Sequence, residues 1–192
     1  MTFTTRDATV RLVHKRAAPV SDAAGAVEHP QASPTAEAIR REIDTLSRCE
    51  CPGVVRLLAH GERPAPWFET EDAGAHTLTS PPSDASQLTR ALANLAGTLG
   101  SLHRSGWAHL NLEPAHVIWR RSAPDTSRPG FNPDVAVTLC SLGSAVQPAG
   151  PAEQYADREA LAEVMVAALV ASAMHHAPPG LRSAIGALAA EL

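Results

Sequence analysis

Lysine is nearly absent from this chain: Lys15 is the single one, and arginine supplies the remaining positive charge. Aromatic residues make up only 4% of the sequence, too few for a base-stacking surface, and the formal net charge is −4. Nucleic acid and anionic membranes are therefore not expected as partners. No apolar run approaches the roughly 18 residues that a membrane helix needs. The first residues, Met-Thr-Phe-Thr-Thr-Arg-Asp, lack the apolar core of a signal peptide, so a cytoplasmic location is expected. The three cysteines, Cys49, Cys51 and Cys140, cannot all pair with one another. Cys49-Glu-Cys51 has no further ligand beside it and makes a poor zinc site. No glycine precedes Lys15, and no G-x-S-x-G is present to seat a serine nucleophile. The abundance of Ala, Pro and Arg fits a GC-rich bacterial genome.

What is present divides into short strands and a few helices. Residues 8–16 alternate, with Val10, Leu12 and His14 on one side, as in a strand. Residues 19–33 have no period and predict a loop. Pro34 behind a Ser33 cap then opens a helix to about Arg48, with Ile39, Ile43 and Leu46 on its apolar face. Strands are expected at 54–59 and around 67–70, followed by a linker marked by Ala73-Gly74 and Pro81-Pro82. Leu88, Leu92, Leu95, Leu99 and Leu102 recur at i, i+4, i+7, i+11 and i+14, predicting a long helix from Asp84 to Ser105-Gly106. Two small strands at 117–119 and 135–139 suit a hairpin. A helix over 157–174, apolar nearly all round, should be buried. Pro178-Pro179 starts a last amphipathic helix through Leu181, Ile185, Leu188 and Leu192.

Between the long helix and the hairpin lies His109-Leu-Asn111-Leu-Glu113-Pro-Ala-His116, and Cys140-Ser141-Leu-Gly143 follows the hairpin. Together they resemble the H-R-D-L-K-x-x-N and D-F-G loops of protein kinases. Arg41-Glu42-Ile43-Asp-Thr-Leu46 with Cys51-Pro52-Gly-Val-Val-Arg-Leu57 is similar to the family's R-E-I-x-x-L…H-P-N-I-V-x-L run. Leu102-His103-Arg-Ser-Gly106-Trp-Ala-His109 and Asp157-Arg-Glu-Ala160-Leu161 resemble the segments that lead into the catalytic loop and open the large lower-lobe helix. The resemblance covers roughly residues 8–175. It is to a degenerate member, a pseudokinase similar to bacterial eukaryotic-like Ser/Thr kinases.

The resemblance implies an α+β, truncated two-lobed fold. A reduced N-lobe over 1–78 would hold a small antiparallel sheet and one helix, and a reduced helical C-lobe would span 79–192. It pairs Lys15 with Glu42 at the phosphate-facing ion pair. Thr70 then guards the back pocket, and Glu71 to Ala73 meet an adenine, which leaves ATP as the one cofactor open to the chain. Asp157 would hold the catalytic-type loop, and His109 would be a packed structural residue.

The substitutions oppose catalysis. The family's base aspartate reads as Asn111 and its lysine as Glu113; its two metal ligands read as His116 and Ser141. Magnesium prefers hard oxygen ligands, so no catalytic or metal-ligating residue is expected. The Gly-rich loop and the A-P-E-like segment are also missing. The leading expectation is a regulatory or scaffold module whose partner is another protein, such as an enzyme it regulates, or a second copy of itself. A nucleotide-binding pseudokinase is the alternative. A divergent phosphotransferase or nucleotidyltransferase using Glu113 and His116 is the third. His175-His176, adjacent on a helix and so pointing about 100° apart, is expected to cap and face solvent.

Overall fold

The chain is seen in a computed structural model that describes residues 2–5, 8–16, 35–121 and 135–176, with side chains from residue 14 onward. The described residues form a mixed α/β structure of seven strands and three α-helices. Strands β1 (Thr2–Thr5), β2 (Ala8–Arg16), β3 (Leu57–Gly61) and β4 (Trp67–Glu71) make an antiparallel sheet in the order β1-β2-β4-β3. Strands β5 (His76–Thr77), β6 (Val117–Arg121) and β7 (Val135–Leu139) form a second antiparallel sheet in chain order. The helices are α1 (Ala36–Arg48), α2 (Ala85–Arg104) and α3 (Pro151–His176). None of the described helices is long and apolar enough to cross a membrane.

Helix α2 follows its sequence pattern. Asp84 caps it, its Oδ1 accepting the Gln87 N–H at 2.8 Å, and all five leucines of the stripe are buried. Gly106, at φ +80°, turns the chain away after the last turn. Asn94 donates from Nδ2 to the Val135 carbonyl at 2.7 Å and ties the helix to β7. A continuous core runs from Ile39, Ile43 and Leu46 of α1 through the α2 leucines to Val117, Val135 and Leu139 of the second sheet.

The α1 cap lies later than the sequence pattern indicates. Thr35 accepts the Ala38 N–H at 3.2 Å and the helix starts at Ala36. Ser33 and Pro34 lie outside the described residues, as do the expected loop at 19–33 and the closing helix at 181–192.

The strand expected at 54–59 is instead Leu57–Gly61, and the chain before it belongs to a different contact. Leu139 N–H donates to the Gly53 carbonyl at 2.7 Å, and Val55 N–H donates to the Leu139 carbonyl at 2.9 Å. Val54 and Val55 are thus drawn to the second sheet, and they are buried there. Gly53, at φ +85°, makes this crossing, and a Cβ on it would meet the Thr98 side chain at 2.6 Å. The expected linker after Ala73-Gly74 also contains β5, which pairs with β6 and so belongs to the second sheet.

Helix α3 corrects two expectations. It begins at Pro151, six residues before Asp157, because the Glu153 side chain reaches back to the Gly150 amide and Pro151 suits a first helical position. The Gly150 N–H donates to Glu153 Oε2 at 2.9 Å, and the Gln154 N–H donates to the Gly150 carbonyl at 3.2 Å. The helix is not buried all round either. Its buried residues are Asp157, Val164, Ala168 and Ser172, on one side only.

Leu95 and Leu58 separate core from surface. Leu95→Ala, at a fully buried site, should cost about 2–5 kcal/mol by chemical denaturation. Leu58→Ala, at a side chain 39% exposed, should cost less than about 1 kcal/mol.

Candidate functional site

Strand β2 and helix α1 bring the only lysine to a buried glutamate. Lys15 Nζ lies 2.6 Å from Glu42 Oε2, with the Glu42 side chain 8% exposed and that of Lys15 36% exposed. Lys15 stands opposite Phe68 in the β2–β4 register, and its ammonium lies 5.7 Å from the Phe68 ring centre. Glu42 lies on the same side of α1 as Ile39, Ile43 and Leu46, which is why the helix cannot turn it to water. An unpaired carboxylate there would be costly, so the ammonium is what makes its burial tolerable. Thr70 and Ala73 are both buried nearby in sequence on and after β4. Asp72 Oδ1 accepts the Gly74 N–H at 2.9 Å and shapes that turn.

From the other side the chain after β7 packs on α1. A Cβ on Gly143 would sit 3.8 Å from Glu42 Cβ. Burial pushes the Cys140 thiol up against the lowering effect of its Ser141 hydrogen bond; Glu42 adds to the rise and Lys15 opposes it, so Cys140 also feels the charges of the ion pair. Ser141 follows with φ 62°, ψ 50°, a left-handed conformation uncommon outside glycine. Leu110, at φ 57°, is the other non-glycine residue of that kind among the described residues.

The 109–116 loop is held from α3. Asp157 is 1% exposed, and its Oδ2 accepts from the His109 N–H and from His103 Nε2, each at 2.8 Å. Its Oδ1 accepts the Leu110 N–H at 2.8 Å. Three charge-assisted bonds to one carboxylate hold Leu110 in its strained backbone conformation. His109 is fully buried. The Asn111 N–H donates to its Nδ1 at 3.3 Å, so Nε2 carries the proton and donates to the Cys140 carbonyl at 3.0 Å. This imidazole joins the loop to the residue before Ser141.

Asn111, Glu113 and His116 do not converge on one point. His116 donates from Nδ1 to the Asn111 carbonyl at 2.7 Å, while Glu113 is exposed and has no ion pair among the described residues. A small cleft of about 280 Å³ opens beside them, lined in part by Leu110, Asn111, Glu113, Ala160 and Glu163. Among the described residues, no three His, Cys, Asp or Glu side chains are placed to hold a metal. Burial, then the neighbouring Cys51, push the Cys49 thiol up to about 11, so the free thiol is protonated at neutral pH. At the end of α3, His176 donates from Nε2 to the Ser83 carbonyl at 2.8 Å, and both histidines are exposed.

Sequence reasoning missed His103 as a partner of Asp157. The two are far apart in the chain, and only the L-H-x-x-G spacing near His103 marked it. The Arg48 guanidinium over the Trp107 ring, 5.3 Å from its centre, carried no local signal either.

His109 gives a pH prediction. Burial holds its pKa below the usual imidazole value. The unfolded chain then takes up this proton first, so stability is complete above about pH 6.5 and is lost as pH falls below it. Thermal melts through this range should show that loss. His109→Phe, which cannot titrate, should weaken the slope relative to the unmodified protein.

The chain matches no protein-family model and no curated protein.

Proposed function

We propose that this chain is a degenerate protein kinase-like domain that works by binding, as a regulatory or scaffold module for another protein, and not by phosphoryl transfer. The observation that carries the proposal is the Lys15–Glu42 pair together with a loop clamped by Asp157 from which the expected chemistry is missing. In the kinase family the lysine of that pair touches the nucleotide phosphates. Here the positions for the base and the two metal ligands hold Asn111, His116 and Ser141. A neutral amide cannot take a proton from a substrate hydroxyl, and losing such a base alone costs about 10²–10⁴ in rate. Neither imidazole nor hydroxyl is the hard carboxylate that magnesium favours. Glu113 adds negative charge where phosphate would need a cation. On this proposal the lobes divide near residue 78, and the module acts in the cytoplasm.

One observation favours a second role, nucleotide binding without turnover. Lys15 already points to Glu42 and remains about one third exposed, so the ammonium can meet a phosphate without leaving its partner. His116 has a ring nitrogen, Nε2, with no partner among the described residues, but the exposed Glu113 does not bond to it. The arrangement thus gives little support to a new acid–base pair.

Two assays test these roles. Phosphate release and self-phosphorylation with ATP and Mg²⁺ or Mn²⁺ should stay at background. Turnover that is lost in both Glu113→Gln and His116→Ala would overturn the non-catalytic proposal. In the second assay, ATP or ADP should raise the melting temperature with or without metal, and Lys15→Met should abolish the rise. A ligand at 100 times its Kd stabilises by about 2.7 kcal/mol, enough to be seen in such a melt. No shift at any concentration would remove the nucleotide role and leave protein binding alone.

A further inference from the structure

Helix α3 has an apolar stripe on each of two sides, and among the described residues only one of them is covered. At 100° per residue, its buried residues Asp157, Val164, Ala168 and Ser172 face the rest of the protein. Tyr155, Ala162, Val166, Leu169 and Ala173 fall within about 40° of a common direction, roughly opposite. All five are exposed; Val166 is 60% exposed, Leu169 52% and Tyr155 58%. Val170, 54% exposed, borders the stripe. A surface helix of a closed monomer would carry charges there.

The spacing within the stripe identifies what fits it. Tyr155, Ala162, Val166, Leu169, Ala173 and His176 are separated by steps of seven, four, three, four and three, the spacing of a coiled-coil seam. With Val166 at an a position, the seam reads Glu159, Val166 and Ala173 at a, and Ala162, Leu169 and His176 at d. In an antiparallel pair each a residue meets a d residue of the other helix. Placing a two-fold axis between residues 167 and 168 sets Val166 against Leu169, Ala173 against Ala162, and Glu159 against His176. The layers from Glu159 to His176 then match: large apolar at the centre, small on either side where the helices can approach, and acid against imidazole at the ends; Tyr155 lies outside them, beyond the last layer that the described helix can form. A parallel pair would set Glu159 against Glu159, a like-charge contact that disfavours it.

We propose that this face of α3 is a self-association surface, on which a second copy of the chain packs its own α3 antiparallel about a two-fold axis. The contact is isologous and therefore closes at a dimer. One helix from each copy makes a small interface, so association belongs to the micromolar class rather than the nanomolar one. The proposal rests on α3 alone, and the outcome of the nucleotide and turnover assays does not bear on it.

Sedimentation velocity on the full chain, from low to high micromolar, should show a reversible monomer–dimer equilibrium. Val166→Glu should leave monomer at every concentration, with an unchanged melting temperature measured at low concentration, because the side chain faces water in the monomer. A mixture of Val166→Cys and Leu169→Cys proteins, oxidised together, should form the mixed disulfide dimer in excess over either homodimer. The native thiols interfere little, since Cys49 and Cys51 are buried and Cys140 is partly so. A monomer throughout would overturn the proposal, whether a different protein covers the stripe or nothing does. So would a dimer that survives Val166→Glu, or homodisulfides in excess. A monomer whose melting temperature falls with Val166→Glu would place the cover within the chain itself, and overturn it equally.

Discussion

One buried carboxylate, on α3, organises the end of α2 and the loop that follows it. Asp157 receives a side chain from the end of α2 and two consecutive backbone amides of the following loop, while its own helix carries it. These are three separate stretches of chain, and no apolar contact could hold them with such directional control. A buried, unpaired carboxylate would be strongly destabilising, and so would the amides without it. Each therefore requires the other. The geometry of His109 follows from this clamp, and through His109 so does the position of Cys140, whose thiol feels the charges of the Lys15–Glu42 pair.

The second organising contact is a short stretch of backbone. Gly53 and Val55 exchange hydrogen bonds with Leu139, so the segment after α1 bridges to the last strand of the second sheet. A four-stranded sheet and a three-stranded sheet thereby share one core, and α2 lies against β7 within it. The ion pair from the first sheet and the loop held by Asp157 are linked through Cys140, whose carbonyl accepts from His109 and whose thiol feels the charges of Glu42 and Lys15. The function proposed for them depends on that link more than on any single side chain.

How legible each part was in the sequence follows from how local its cause is. The α2 stripe was plain because a helix period and its Asp84 cap are written within one segment. The Lys15–Glu42 pair was found through a resemblance and the scarcity of lysine; no local pattern links residues 27 positions apart. Val54 and Val55 looked like strand because β-branched pairs usually are, but their partner is Leu139, far along the chain. The true start of α3 was written in Gly150-Pro151-Ala-Glu153, a capping signal overlooked beside the motif at Asp157. The apolar composition of α3 was read as burial, whereas composition cannot distinguish one wide buried face from two narrow ones. Its buried and exposed residues separate only when the helix is set against its neighbours.

The solitary lysine has a consequence for chemistry done on the protein from outside. Apart from the α-amino group, the chain offers one primary amine, and that amine sits in the ion pair. A reagent that acylates amines would thus mark a single internal position, and its rate there would report how firmly β2 and α1 hold together. Most proteins scatter such labels over many surface lysines; here the arginine-rich surface is silent and the site carries its own reporter.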